Sequence, residues 1–194
     1  MKPEQVCVYA ASSRQCAQIY LDAARRLGEI LAQNAIAIVY GGGSTGLMGS
    51  LADGALAEGG RVIGVLPEFM GELEWGHERL TELRLVGDMH ERKRRMIAEV
   101  DAVIALPGGC GTLEELFEAI TWKRLGLYSK PIVLVNVAGF FDPCVALLER
   151  AIAERFMHER HRSMWSVVTE PEAVLPAIAS APTWSENARD FAVP

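Results

Sequence analysis

Two glycine-rich stretches and one run of cations hold the residue types from which a site for an anionic ligand can be built. The first stretch is Tyr40-Gly41-Gly42-Gly43-Ser44-Thr45-Gly46-Leu47-Met48-Gly49, and the second is Pro107-Gly108-Gly109-Cys110-Gly111-Thr112-Leu113-Glu114-Glu115. Each follows an apolar run and opens a segment of helical period. Glycines in that position let backbone N–H groups approach an anion at the positive end of a helix. Gly41, Gly43 and Gly46 match the G-x-G-x-x-G of dinucleotide sites. The loop follows the second strand, however, and the acid that would hold a ribose ~20 residues on is missing, which counts against NAD. A tight turn letting helix and strand pack closely explains this loop equally well. In the second stretch, three glycines and a threonine can cradle a phosphate. No Lys-[ST] pair follows, so a phosphate monoester suits it better than a nucleoside triphosphate.

Thr112-x-x-Glu115 is also the pattern of a capping box, which needs no ligand, so Glu115 reads either as a cap or as a carboxylate with chemistry to do. At about 100° per residue, Leu113, Leu116, Phe117 and Ile120 share one face, expected against the core. Glu115, Glu118 and Trp122 fall opposite, and a Trp beside two carboxylates points to a surface covered by a ligand or a second subunit. The run Met89-His90-Glu91-Arg92-Lys93-Arg94-Arg95-Met96 starts another helix with four cations, where the macrodipole disfavours each by ~0.3–1 kcal/mol. A solvated face suits Arg94 and Arg95. Met89, Met96, Ile97 and Val100 face inward, with Lys93 near the centre of that side and Arg92 at its edge. Inward cations are almost never left unpaired, so a protein carboxylate or a phosphorylated ligand is expected to meet both. The four charges spread all round the helix, unlike a nucleic-acid-binding face.

The elements that must position these residues are short apolar runs alternating with helical patterns. Strands are expected at Val6–Ala10, Ala35–Tyr40, Arg61–Leu66, Glu82–Val86, Asp101–Leu106 and Pro131–Asn136. Helices are expected near Cys16–Gln33, Thr45–Glu58, Met89–Val100, Thr112–Leu127 and Pro143–Arg155. A last strand near Trp165–Val168 and a helix near Pro171–Ala179 finish the pattern. Nearly continuous apolar strands belong to a parallel sheet covered on both faces. The fold class is therefore α/β, a doubly wound, mostly parallel, Rossmann-like sheet with helices on both faces. Residues 1–180 are expected to form a single domain, and Ala181–Pro194, with two Pro and few apolar anchors, a loosely held tail. Ligands of such sheets bind beyond the carboxyl ends of the strands. That singles out Ser12-Ser13, Gly41–Gly49, Pro67-Glu68 and Pro107–Thr112.

Composition narrows the function classes. The 194 residues carry a formal net charge of −6, and the pI is near 5.3. This balance argues against wholesale affinity for nucleic acid or an anionic membrane, so any anion must be captured locally. No apolar run approaches the ~20 residues of a membrane span, and the opening MKPEQVCVYAASS reads as a first strand rather than a leader. Cys7, Cys16, Cys110 and Cys144 show no paired spacing, and with His77, His90, His158 and His161 they form no zinc pattern. A reducing cytoplasm is expected.

Taken together, Gly41-Gly42-Gly43-x-x-Gly46-Leu47-Met48-Gly49, Met89-His90-x-Arg92-Lys93 and Pro107-Gly108-Gly109-x-Gly111-Thr112-x-x-Glu115 occur in an order and spacing that resembles the LOG family. These are cytokinin-activating phosphoribohydrolases once mislabelled lysine decarboxylases. The likeness runs from about Val6 to Ala179 and includes Leu80-Thr81-Glu82-Leu83. It departs mildly where Ala11 replaces a glycine before Ser12-Ser13. The resemblance implies hydrolysis of the N-glycosidic bond of a nucleoside 5′-monophosphate, AMP or N6-modified AMP, to free base and ribose 5-phosphate. It implies Arg92 and Glu115 as the catalytic pair. Substrate contacts would come from Glu74, Lys93, Gly108, Gly109, Cys110, Gly111, Thr112, Leu113, Glu114, Thr121, Gly42, Gly43 and Met89. It also implies a homodimer with the site near its interface, and no metal or organic cofactor. Lysine decarboxylation is set aside, because no lysine with a pyridinium partner for pyridoxal phosphate is evident. The competing class is a nucleotide-binding or carrier module on the same scaffold, without turnover.

Overall fold

The computed structural model describes residues 2–71, 76–184 and 188–192, the side chains of Gly71 and Arg189 aside. Chain order is β1 (Gln5–Tyr9), α1 (Gln18–Gln33), β2 (Ala37–Tyr40), α2 (Gly46–Ala57), β3 (Val62–Pro67), α3 (Glu68–Gly71) and β4 (Glu82–Val86). It continues with α4 (Met89–Ile97), β5 (Ala102–Ala105), α5 (Cys110–Arg124), β6 (Ile132–Val135), α6 (Asp142–Ala153), β7 (Ser166–Val168) and α7 (Val174–Ser180). The seven strands form one sheet in the order β4-β3-β2-β1-β5-β6-β7, every pair parallel. Each expected strand and helix is present, with ends shifted by a few residues.

Every residue of β2, β3, β5 and β6 is buried, as strands covered on both faces require. Along β1, Cys7 and Tyr9 enter the core shared with α4, α5 and α6. Val6 and Val8 enter the core on the other face, shared with α1, α2 and α7. The edge strand β4 alternates instead, leaving Leu83 and Leu85 exposed. Strand order reverses at β1, whose neighbours are β2 and β5. The crevice for a ligand therefore opens beyond the carboxyl ends of these strands.

The C-terminal stretch departs from the expected loose tail. Among its described residues, Trp184, Ala188 and Ala192 are buried, Trp184 and Ala188 within the core on the α5 side. The Trp184 indole N–H donates to the Lys123 carbonyl at 2.7 Å, and Arg124 Nε donates to the Ala192 carbonyl at 2.7 Å. One indole and two small residues bury this segment without any periodic pattern, so its composition resembles that of a free tail. Lys123 lies beneath it, donating to the Lys130 carbonyl at 2.8 Å, and burial lowers its pKa to about 8. No helix among the described residues is long and apolar enough to cross a membrane.

Candidate active site

The carboxyl ends of β1, β2, β3 and β5 frame a cleft of about 780 Å³. Its β2 side is the first glycine loop, and its glycines answer to neighbouring protein atoms. Gly46 has φ +61°, and a Cβ there would stand 2.5 Å from the Ser13 carbonyl oxygen. That close approach lets Thr45 Oγ1 donate to the Ser12 carbonyl at 2.7 Å and the Met48 N–H to the Ala11 carbonyl at 3.1 Å. The loops after β1 and β2 are thereby locked together. Gly42, at φ +78°, accepts the His77 N–H at 2.9 Å, and Tyr40 Oη donates to the Gly43 carbonyl at 3.1 Å.

The β5 side is the second loop, and it is open. Gly109 caps α5 without any side-chain hydrogen bond, so the helix begins at Cys110 and Thr112 is already its third residue. This overturns the capping-box reading of Thr112 and Glu115, which needs Thr112 at the cap itself. A Cβ on Gly109 or Gly111 would meet nothing within 4 Å, whereas one on Gly108 would strike the Thr112 side chain. Gly109, Cys110, Gly111 and Thr112 all line the cleft. The orphan N–H groups of a first helical turn thus lie at an open cavity, the setting in which helices bind anions.

Arg92 reaches the cleft from the first turn of α4. Asp88 caps that helix, accepting the Glu91 N–H at 2.8 Å, while the Glu91 carboxylate accepts the Gly87 N–H at 3.1 Å. These two acids suit the helix start. Because α4 ends at Ile97, Arg94 and Arg95 fall in its last turn, where cations are favoured rather than disfavoured as the sequence suggested. Arg92 Nε donates to the Val65 carbonyl at 3.2 Å, and its Nη1 lies 3.1 Å from Glu115 Oε1. Both partners are buried, Arg92 at 8% exposure and Glu115 at 7%. Burial pushes the Glu115 carboxyl up to about 7, with Glu114 and Glu118 adding to it and Arg92 and Lys93 opposing. A buried carboxylate held ionisable by one fixed cation is a common arrangement at sites that move charge or protons.

The helical-wheel placement of Glu115 is corrected here. The buried stripe of α5 is Thr112, Glu115, Leu116, Ala119, Ile120 and Lys123, while Leu113 and Phe117 are half-buried. Trp122 packs partly against the core on its own side, so it is not an uncovered residue on a polar face. Inward-facing Lys93 finds carboxylates, as Arg92 does: its Nζ lies 2.5 Å from Glu114 Oε1 and 3.0 Å from Glu118 Oε1.

The cleft gathers Arg92, Glu115, Met89, Gly43, Gly109, Cys110, Gly111 and Thr112 from the expected set. Gly42, Gly108 and Leu113 are not among the lining residues. Lys93, Glu114 and Thr121 do not line the cleft; Thr121 is exposed and its hydroxyl donates to the Phe117 carbonyl at 2.7 Å. Glu74 lies outside the described residues. Sequence reasoning left unassigned the β1 loop, Ser12 through Arg14, and an apolar wall of Met48, Leu66 and Met70. Ser12 and Ser13 had a signal in their place after β1, and Met48 lay within a quoted motif. Among the described residues, no three His, Cys, Asp or Glu side chains are grouped so as to hold a metal ion.

Comparison with known proteins bears on this arrangement. Residues 48–178 match the family model described as "Possible lysine decarboxylase". The rice (Oryza sativa subsp. japonica) cytokinin riboside 5'-monophosphate phosphoribohydrolase LOG is 46% identical over 170 residues, which cover 87% of this chain and 69% of that protein. The Rhodococcoides fascians cytokinin riboside 5'-monophosphate phosphoribohydrolase is 42% identical over 179 residues, covering 92% and 90%. Among solved structures, the molybdenum cofactor carrier protein of Chlamydomonas reinhardtii superposes with a TM-score of 0.70 at 23% identity, covering 93% of this chain and 98% of that one. That likeness is one of fold. By its three motifs, the matched model and these relatives, the chain belongs to the LOG family.

Proposed function

We propose that this chain hydrolyses the N-glycosidic bond of nucleoside 5′-monophosphates, AMP or an N6-modified AMP, releasing the free base and ribose 5-phosphate. The observation that carries this reading is the buried Arg92–Glu115 pair at 3.1 Å, set in the same cleft as the open first turn of α5. The names of the relatives support it. The 5′-phosphate seats on the N–H groups of Gly109 through Thr112, and this remote contact orients the ribose. Breaking C1′–N9 sends both bonding electrons to the base and leaves oxocarbenium character on the ribose. The Glu115 carboxylate stabilises that charge. Water then supplies the new oxygen at C1′ and the proton that the base takes. Arg92 fixes Glu115 in place and opposes its neutralisation by burial. No step calls on a metal or an organic cofactor.

Glu115→Gln is expected to lower base release from AMP by at least ~10³-fold while leaving the melting temperature near that of the unmodified protein. Retention of most of the activity would overturn the role given to Glu115. The active form is the carboxylate, and its pKa lies near 7. Activity is therefore expected to rise with pH through about 7, as the ionised fraction grows, and to fall below it. A rate flat between pH 5.5 and 8.5 would contradict this.

We also read the working form as a cytoplasmic homodimer that binds neither nucleic acid nor membrane. Light scattering showing a monomer at micromolar concentration would reject the dimer.

A further inference from the structure

We propose that Gly41 is a positioning residue for Arg92: the absence of its side chain provides the space in which the guanidinium lies while it holds Glu115. The inference rests on the reading that Arg92 and Glu115 act on the substrate. Gly41 follows β2 directly, and its neighbours Gly42 and Gly46 have positive φ whereas Gly41 does not. Alanine is thus admissible for the backbone at 41, and turn geometry does not account for the glycine. What a Cβ would meet there is side chain. It would fall on Arg92 Nη2, and it would stand 3.2 Å from Arg92 Cζ and 3.2 Å from Met48 Sδ. Methionine can swing aside, but the guanidinium can yield only by leaving the contacts that fix it. Its Nε is held by the Val65 carbonyl at 3.2 Å, its Nη2 lies 3.5 Å from the Gly41 carbonyl, and Nη1 meets Glu115. A methyl at 41 displaces the guanidinium from Glu115, and the carboxyl loses the cation that opposes its burial.

Four proteins test this: the unmodified chain, Gly41→Ala, Arg92→Lys and the double variant. Lysine ends short of the Nη2 position, so it removes the atom that the methyl strikes. Gly41→Ala is expected to lower kcat for AMP by about 10²-fold, with the smaller change in KM, because a displacement of about 1 Å at the reacting centre is costly. The acidic limb of its pH profile should move to higher pH. Adding Arg92→Lys to Gly41→Ala should cost nothing further, so the two losses do not multiply.

Difference infrared spectra against Glu115→Gln give the Glu115 titration directly, and Gly41→Ala should move its midpoint upward. That readout needs no turnover. If the unmodified protein releases no base, the proposed function fails while the infrared midpoint still decides the role of Gly41. A folded Gly41→Ala protein with unchanged kcat and an unchanged Glu115 midpoint overturns the inference, as do losses that multiply. If Gly41→Ala does not fold alone, recovery of folding in the double variant supports the collision with Arg92. A double variant that is also unfolded overturns it.

Discussion

The two glycine loops start alike, each leaving a buried parallel strand and opening a helix, yet their missing side chains face different things. Beside Gly41 and Gly46 the space is taken by Arg92 and the Ser12-Ser13 backbone, and Gly42 adopts φ +78°, which a side chain disfavours. Beside Gly109 and Gly111 there is nothing within 4 Å. Glycines of the first kind are required by the folded chain itself. Glycines of the second kind are not: Gly111 lies in the first turn of α5, where alanine would be better by roughly 0.5–1 kcal/mol. The first loop packs against Arg92 and the β1 loop, whereas the second leaves bare backbone facing the cleft.

Substitutions can break or sharpen that contrast. Gly46→Ala carries the largest expected effect on the fold, because it combines φ +61° with a collision against the Ser12-Ser13 backbone. A loss of roughly 2–4 kcal/mol is expected, read as a clear fall in melting temperature. An unchanged melting temperature would show that the first loop is no more constrained than the second. Gly111→Ala is expected to act the other way round. Its melting temperature should hold or rise slightly, while KM for AMP rises about tenfold, worth ~1.4 kcal/mol of phosphate contact. If KM is unchanged, the open loop is not the phosphate seat and the contrast between the loops loses its functional meaning.

Much of the fold is legible in the sequence because parallel strands buried on both faces read as unbroken runs such as Ala37–Tyr40 and Ile132–Val135. The inward placement of Arg92 and Lys93 is legible too, since α4 has apolar residues enough to fix its wheel. On α5 the same reasoning misplaces Glu115. Apolarity marks the core face only when the buried stripe is apolar, and here Thr112, Glu115 and Lys123 share it. The start of α5 is misjudged for a related reason: Gly109 caps through backbone alone, so Thr112 attracts the cap assignment. Asp88 escapes notice because the cations after it dominate that stretch. The anchoring of Trp184 depends on a carbonyl 61 residues away, which no local pattern encodes.

The central claim is that a phosphate held on α5 directs Glu115 to the glycosidic bond. Its most direct test is chromatography of AMP, N6-isopentenyl-AMP and adenosine after incubation with purified, metal-free protein. The account predicts free base from one or both monophosphates and none from adenosine, whose ribose has nothing to seat on the first turn of α5. Equal release from adenosine would contradict the phosphate seat. No release from any of the three, with AMP still raising the melting temperature, would contradict hydrolysis and leave a nucleotide-binding module.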